Sequence, residues 1–424
     1  MYYLIETIEQ LEEFRKRNYK EVFMEIIPFS NNIHPSQNNI SLIYVRPCEE
    51  TKGFMICIEH SETLSIALNL ALKCINTWDK IYVRDKKETL HYFPLRQIYD
   101  INIHPNPSQL PSTISHDIFY KNFGDNPEIN KIIPISKHYE ICEKLYDELK
   151  NNLKKEPTEY EIFFNNRVSV VFNAIERNGL RIQPELFSKF FHPIDGEYTF
   201  TQFNLKTTTS RPSNKWNGVN YAALNKENGC RASFIPRNDL LVEMDISAMH
   251  PSLLANLIGY KFPTSEIHQH FAELYGVSYE EAKQITFRQL YGGVYEQYKH
   301  IEFFEKIEQY VKKLWQEFNI NGYIICPISH YIFRKDELEK MNPQKLLNYL
   351  LQNYETSLNT LILWDIFREL RGKETKLIHY SYDAFLFDFS ENESEILDKI
   401  KNIFIKYNLS IKFKQGTSYD FTVF

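Results

Sequence analysis

Residues 240–245 read Leu-Leu-Val-Glu-Met-Asp and run directly into Ile246-Ser247-Ala248-Met249-His250-Pro251-Ser252. Apolar residues with helical spacing follow at Leu253, Leu254 and Leu257. A β-favouring run that ends on an acid, turns through small residues and enters a helix puts one carboxylate at the C-terminal end of a strand. The rest of the chain has to be organised around that junction. A carboxylate so placed can ligate a hard divalent cation, or it can cap the helix that carries the three leucines. Read alone, the stretch fits both.

The chain has 424 residues, enough for two or three domains. Its 43% hydrophobic and 25% charged content is that of an ordinary soluble, folded protein. No apolar run reaches the length of a membrane span, and the acidic stretch 1–14 does not read as a signal peptide. A cytoplasmic protein without a membrane partner is expected. Cys48, Cys57, Cys74, Cys142, Cys230 and Cys326 are scattered without a CxxC pair. That argues against a zinc centre or a disulfide framework and fits a reducing compartment. A net charge of −6 excludes a uniformly basic nucleic-acid binder but leaves room for a local basic face. With 13 Gly against 31 Phe and 28 Tyr, Gly-rich phosphate loops are scarce and aromatic surfaces are not.

Taken in order, the chain begins with a predicted helix over 1–20, with Leu11 and Phe14 facing inward. Strands are predicted over 21–28, 40–46, 53–58 and 80–84, and a helix over 61–76 with Ser61 as its N-cap. This is the alternation of an α/β domain. Residues 104–112, with three prolines, read as a surface loop. Helices follow over 136–153 and 159–178, the second ending at Gly179. From 196 the sequence turns Thr- and Ser-rich and alternating, so short strands and turns are expected. After the opening junction come helices at 252–258, 268–274, from 278, and 302–318, then a small hairpin over 322–334. A long helix over 343–370, a hairpin over 376–389, a helix over 391–406 and a strand over 409–413 complete the chain.

The hairpin settles the reading of Asp245. In Lys-Leu-Ile-His-Tyr-Ser-Tyr-Asp-Ala-Phe-Leu-Phe-Asp-Phe the alternation brackets Tyr382-Asp383-Ala384, so an acid sits at the tip. Asp383 alone would be a turn residue. Paired with Asp245 it offers a second strand-end carboxylate, and two such groups can share a pair of Mg²⁺ ions that activate a 3′-hydroxyl and neutralise a leaving pyrophosphate. A third element is the helix at 280–293, where Lys283, Phe287 and Tyr291 recur every four residues on one face before Gly292-Gly293. A cation beside two aromatics suits phosphate, sugar and base together.

These three stretches resemble motifs A, B and C of the family A DNA polymerases, the bacterial polymerase I class, in that family's order. Motif A there reads roughly D-Y-S-Q-I-E; here it is Asp245-Ile246-Ser247-Ala248-Met249-His250. Motif B reads K-x-x-x-F-G-x-x-Y-G; Lys283, Phe287, Tyr291 and Gly292 fall at that spacing. Motif C reads H-D-E; here it is Tyr382-Asp383-Ala384. Thr209-Ser210-Arg211-Pro212-Ser213 resembles the family's T-G-R-L-S, Arg231 to Pro236 its R-x-x-F-x-P, and Asn348 with Gln352 its N-x-x-x-Q. Residues 175–182 resemble its E-x-N-G-x-x-I segment.

The resemblance implies an α/β and α+β architecture. An exonuclease-like (RNase H-like) domain would span 1–135, a helical linker or vestigial thumb 136–190, palm 191–260 and 321–424, and helical fingers 261–320. It implies a template-directed DNA polymerase that adds dNTPs to a primer 3′-hydroxyl. Asp245, Asp383 and the Ile246 carbonyl would hold two Mg²⁺ ions, for which Mn²⁺ can substitute. Lys283 would take the triphosphate, Phe287 and Tyr291 would frame the nascent pair, and Arg211, Arg231, Asn348 and Gln352 would hold the primer–template. Its general nature needs backbone and minor-groove contacts that carry little sequence information.

The chain also departs from the family. The Arg four residues before the motif B Lys is Tyr279 here, which leaves Arg288, His268 or His270 to meet the triphosphate, His268 first. The motif A Glu that excludes a ribose 2′-hydroxyl is His250, placed to pair with Tyr291. The motif C Glu is Ala384, and Asp388 is a possible aid across the hairpin. The family's helical thumb, ~100 residues and domain-sized, has no counterpart between 182 and the palm, so weak hold on duplex, or a processivity partner, is implied. In the first domain Glu25 stands alone where exonuclease chemistry needs D-x-E, and Asp79, Asp85 and Asp117 read as surface residues, so no proofreading is expected. Composition and compactness suggest a phage or mobile-element origin. Two alternatives stay open: a gap-filling or terminal transferase with relaxed sugar choice, and a degenerate, nucleic-acid-binding subunit.

Overall fold

Runs of β-branched and aromatic residues in the first part of the chain pair into a mixed six-stranded sheet. The computed structural model describes residues 2–103, 126–214 and 219–421. The strands are β1 (Tyr3–Ile5), β2 (Glu21–Pro28), β3 (Ile40–Pro47), β4 (Phe54–Cys57), β5 (Lys80–Val83) and β6 (Ile98–Asp100). Their spatial order is β1-β4-β3-β2-β5-β6. β2, β3 and β4 are antiparallel neighbours, while β5 and β6 run parallel to β2. Alternation along β2 supplies two cores. Val22 and Met24 join the cluster formed with α1 (Ile8–Lys16) and α2 (Leu68–Ile75). Phe23 and Ile27 join the cluster on the opposite side, where Cys142, Leu145 and Leu149 of α3 (Ile135–Leu149) cover Tyr44 and Met55. Burying a side chain such as Phe23 on such a face stabilises by about 1.5–3 kcal/mol.

The first compact unit runs to Asn173 and the second begins at Ala174. The boundary therefore falls inside the helical stretch that reads from sequence as a linker, and α3 is part of the first unit's core. That stretch is two α-helical segments, Glu159–Phe163 and α4 (Ser169–Asn178), joined by a π-helical turn over Phe164–Val168. Gly179 stops it at φ +64°, with the Phe200 ring 2.8 Å from where a Cβ would lie, so only glycine fits there.

In the second unit the organising sheet is antiparallel: β7 (Leu240–Ile246), β8 (Lys376–Ser381), β9 (Ala384–Phe389) and β10 (Ile411–Gly416), in the order β8-β9-β7-β10. Leu241, Ile378 and Leu386 pack on one side with Phe234 and Tyr419. The helices are α5 (Met249–Ile258), α6 (Ile267–Tyr275), α7 (Tyr279–Gly292), α8 (Glu302–Asn321), α9 (Pro343–Glu369) and α10 (Glu395–Lys406). α7 starts on a capping box, with Ser278 accepting from the Glu281 amide and Glu281 reaching back. Between Asn178 and β7, no described α-helix is longer than the four residues Pro184–Phe187. The segment is otherwise two-residue strands and 3₁₀ turns.

Several elements differ from the sequence reading. The opening helix is shorter, because Tyr3–Ile5 pairs parallel with Phe54–Ile56. The helix assigned to 61–76 begins at Leu68 with Ala67 as N-cap. The Ser61 hydroxyl donates to the Lys131 carbonyl, and Glu62 accepts from the Ile135 amide, so tertiary bonds hold the stretch extended. α5 starts at Met249, three residues before Ser252, and its N-cap is Ala248, not Asp245. Both the 104–112 loop and Asp117 lie outside the described residues. No helix among the described residues is long and apolar enough to cross a membrane.

Candidate active site

The two acids are positioned by the sheet. Asp245 ends β7 in register with Ala384, the first residue of β9. Asp383 lies one residue earlier, at the tip, where Tyr382 takes φ +58° to close the turn. The tip is tied to β7 by its main chain: the Ile246 amide donates to the Asp383 carbonyl at 2.8 Å. Asn359 of α9 braces the tip from behind, donating to the Tyr382 carbonyl at 2.7 Å. The Asp383 carboxyl is pushed up to about 6, first by burial and then by the Asp245 charge. Asp245 is raised too, mainly by burial and Glu243. Two half-buried carboxylates, each held above its ordinary range chiefly by burial, form a hard oxygen donor set that a divalent cation relieves. The residues present therefore fit Mg²⁺ or Mn²⁺.

Both acids line a cavity of about 240 Å³. Ile246, Lys283, Phe287, Tyr291, His250, His268 and Arg211 share it. On α7 the Phe287 and Tyr291 rings are nearly parallel, 8° apart with centroids 6.0 Å from one another. His268 of α6 is wedged between Tyr279 and Phe287, each ring 5.8 Å away. Burial, with Lys283 and Lys412 nearby, lowers its pKa to about 4, so the imidazole is neutral at pH 7. Its Nδ1 is buried and has no hydrogen-bond partner.

His250 is 8% exposed and bridges two groups. Its Nδ1 meets the Tyr291 hydroxyl, and its Nε2 lies 2.8 Å from a Glu355 oxygen. The other Glu355 oxygen faces Arg211 Nη2 at 3.3 Å, and the Arg211 guanidinium stacks 3.8 Å from the Tyr382 ring centre. Glu355 was not foreseen. Its signal is the spacing of Asn348, Gln352 and Glu355, a polar line at i, i+4 and i+7 of the helix. Gln352 accepts from Thr209 at 3.1 Å, and Asn348 donates to the Tyr291 carbonyl at 3.4 Å.

Other expected residues are placed elsewhere. Arg288 is exposed on α7 and does not line the cavity, since the turn of the helix carries it off the Lys283 face. His270 stacks near Phe262 and Phe271 instead. Arg231 donates twice to the Leu224 carbonyl, at 3.3 and 3.0 Å, and lies over Tyr419. Asp388 gives no help at the tip: it is 2% exposed, five residues down the hairpin, and accepts from the amides of Arg237 and Asn238. In the first unit, Glu25 is paired bidentately by Arg84, at 3.0 and 2.8 Å. Asp85 caps a helix, and Asp79 is an exposed partner of Lys20.

The raised Asp383 carboxyl has a stability consequence. A folded value above the ordinary one favours the protonated form, a contribution complete below about pH 4 and lost as pH rises through 6. Above pH 7 the ionised group costs about 1–2 kcal/mol once solvent screening is allowed for. Asp383→Asn should therefore raise the melting temperature by about 2–4 °C at pH 8 in chelator, with no gain at pH 4. Equal melting curves at pH 8 would show that the two carboxylates do not repel.

No family profile matches the chain, and no curated protein matches it either. Comparison with solved structures does find a match: the POL domain of Pol1 from M. smegmatis, in a complex with DNA primer-template and dNTP. The TM-score is 0.69 over 98% of this chain and 99% of that one, at 13% sequence identity. At that identity the likeness shows the fold, which is that of a DNA polymerase domain.

Proposed function

We propose that the chain is a template-directed DNA polymerase that joins dNTPs to a primer 3′-hydroxyl. The observation that carries this reading is the convergence of Asp245 and Asp383 in one cavity with Lys283, Phe287 and Tyr291. Two carboxylates on a rigid sheet face a cation and an aromatic shelf on a helix, which is the division of labour that nucleotidyl transfer needs. The neighbour's primer-template and dNTP support the same substrates here. Mg²⁺ ions held by Asp245, Asp383 and the Ile246 carbonyl would lower the pKa of the attacking hydroxyl and offset charge on the departing pyrophosphate. The protein's own groups do the rest. Lys283 neutralises phosphate oxygens, Phe287 and Tyr291 stack against the nascent base pair, and His250 fills the space beside Tyr291 where a ribose 2′-hydroxyl would project. Arg211, Asn348 and Gln352 would hold the primer–template.

The same reading makes the first unit a structural relic of an exonuclease. Five of its strands, β4-β3-β2 antiparallel and then β5 and β6 parallel to β2, follow the order of RNase H-like domains with β1 added at the edge, which supports this. Glu25 is taken up by Arg84 and has no D-x-E partner, which supports the reading that this unit does not proofread. The short pieces between Asn178 and β7 favour a polymerase without a helical thumb, which releases duplex early or relies on a partner for grip.

The test is extension of a labelled primer on a short template with Mg²⁺ and each dNTP. Templated addition in short, distributive runs, with a mismatched 3′ end left undegraded, is the expected result. Addition to blunt ends regardless of template would favour terminal transfer. Duplex binding without extension would leave a binding subunit.

A further inference from the structure

The cavity holds a cation that neither the acids nor the α7 face accounts for. Lys412 sits on β10, in register with Asp245, and lines the cavity from the sheet side. Two residues on, Lys414 makes an ordinary cross-strand ion pair, 3.0 Å from Glu243. Lys412 does not repeat it. Among the described residues no carboxylate lies within ion-pair distance of Lys412 or of Lys283. The Lys412 ammonium instead turns to α7, where the Tyr279 hydroxyl lies 3.3 Å away and the ring centre 5.6 Å away. Tyr279 in turn packs on His268, whose buried Nδ1 has no partner. Two unpaired ammonium groups, from separate elements, thus converge on a buried imidazole with an open valence. Like charges brought together cost energy, and two ammonium groups beside a bare imidazole nitrogen match a multiply charged anion.

We propose that Lys412 is a phosphate-binding residue. Together with Lys283 and His268 it forms a three-point cradle for the polyphosphate tail of the incoming nucleotide, with Tyr279 as its positioning residue. The proposal rests on the polymerase reading for its substrate, but the chemistry it names is that of a polyphosphate. The cradle spans the sheet and α7, so a bound tail would draw Lys412 off Tyr279 and onto phosphate oxygens. Turning Lys412 away from Asp245 also leaves that carboxylate free for metal.

Two measurements test this. The first is calorimetric titration of the full-length protein with inorganic triphosphate in Mg²⁺, which needs no catalysis. Lys412→Ala should weaken binding by about tenfold or more, and Lys412→Arg should restore most of it. Equal affinity of wild type and Lys412→Ala, or no binding by wild type, overturns the cradle. The second is primer extension. Lys412→Ala should raise the KM for dNTP by a similar factor with a smaller change in kcat, and Tyr279→Phe should raise KM by a few-fold. An unchanged KM in an extending Lys412→Ala enzyme overturns the assignment. Failure of the wild type to extend, with triphosphate bound through Lys412, strikes the polymerase reading and leaves the cradle standing. Lys412 is an exposed strand residue, so its loss should not impair folding, which the melting temperature checks.

Discussion

Asp245→Ala and Asp383→Ala should each lower the rate of dNTP incorporation by about 10³-fold or more, several kcal/mol of transition-state stabilisation. The size of the effect follows from how little else in the cavity is anionic. The carboxylates at its sheet end come from a strand and from a hairpin tip, and a cation held between them loses one of its two carboxylate ligands when either goes. The double variant should be little worse than the singles, because the two act as one unit. Folding is not the confounder. Burial, with the Asp245 charge second, raises Asp383, so removing that carboxylate relieves the fold. A variant with an intact melting transition and less than a tenfold drop in single-nucleotide extension would remove that acid from the reaction.

The second large effect concerns sugar choice. His250 is pinned at both ring nitrogens, to Tyr291 on one side and to Glu355 on the other. Glu355 is 2% exposed and also paired with the partly exposed Arg211, so the imidazole is held from behind by a carboxylate that is itself anchored. On the proposed function, a ring held beside Tyr291 would exclude a group the size of a hydroxyl by contact. His250→Ala should therefore cut discrimination against ribonucleotides by about 10–100-fold, the 1–3 kcal/mol that one small group is worth in a close-fitting pocket. The dNTP reaction should change less. Glu355→Ala should be worse for the fold than for selectivity, since it leaves Arg211 and His250 unpaired in the interior and should cost about 3–5 kcal/mol of stability. Competing dATP and ATP in single-nucleotide extension reads the first effect, and denaturant melting reads the second. If His250→Ala discriminates as well as wild type, the exclusion lies with Tyr291 alone.

The parts of the site legible in the sequence are those whose geometry is local. Strand periodicity put Asp245 and Asp383 at strand ends, and helical periodicity put Lys283, Phe287 and Tyr291 on one face. The Ser278–Glu281 box marked where that helix begins. What stayed hidden depends on contacts distant in sequence. Lys412 reaches the cavity only because β10 pairs with β7, and nothing in Ile411-Lys412-Phe413-Lys414 tells which lysine finds an acid. Asp388 resembled a helper by proximity along the chain, yet five residues of strand carry it to the other end of the hairpin. Ser61 had the chemistry of a helix cap, but a hydrogen bond to Lys131 claimed its hydroxyl. The boundary between the two compact units is hard to read for a related reason. It falls within a continuous helical stretch, where neither composition nor a loop marks it.

The bond from the Ile246 amide to the Asp383 carbonyl bears on how a site of this kind can diverge. The spacing of the two acids is written in the main chain, as strand register plus one amide–carbonyl bond, and not in the side chains around them. Neighbouring residues are then free to change without moving the carboxylates. His250 and Ala384 stand where the motifs this chain resembles carry glutamates, and Tyr279 where they carry an arginine. The backbone path is comparable to that of the matched polymerase domain over nearly the full length at 13% identity.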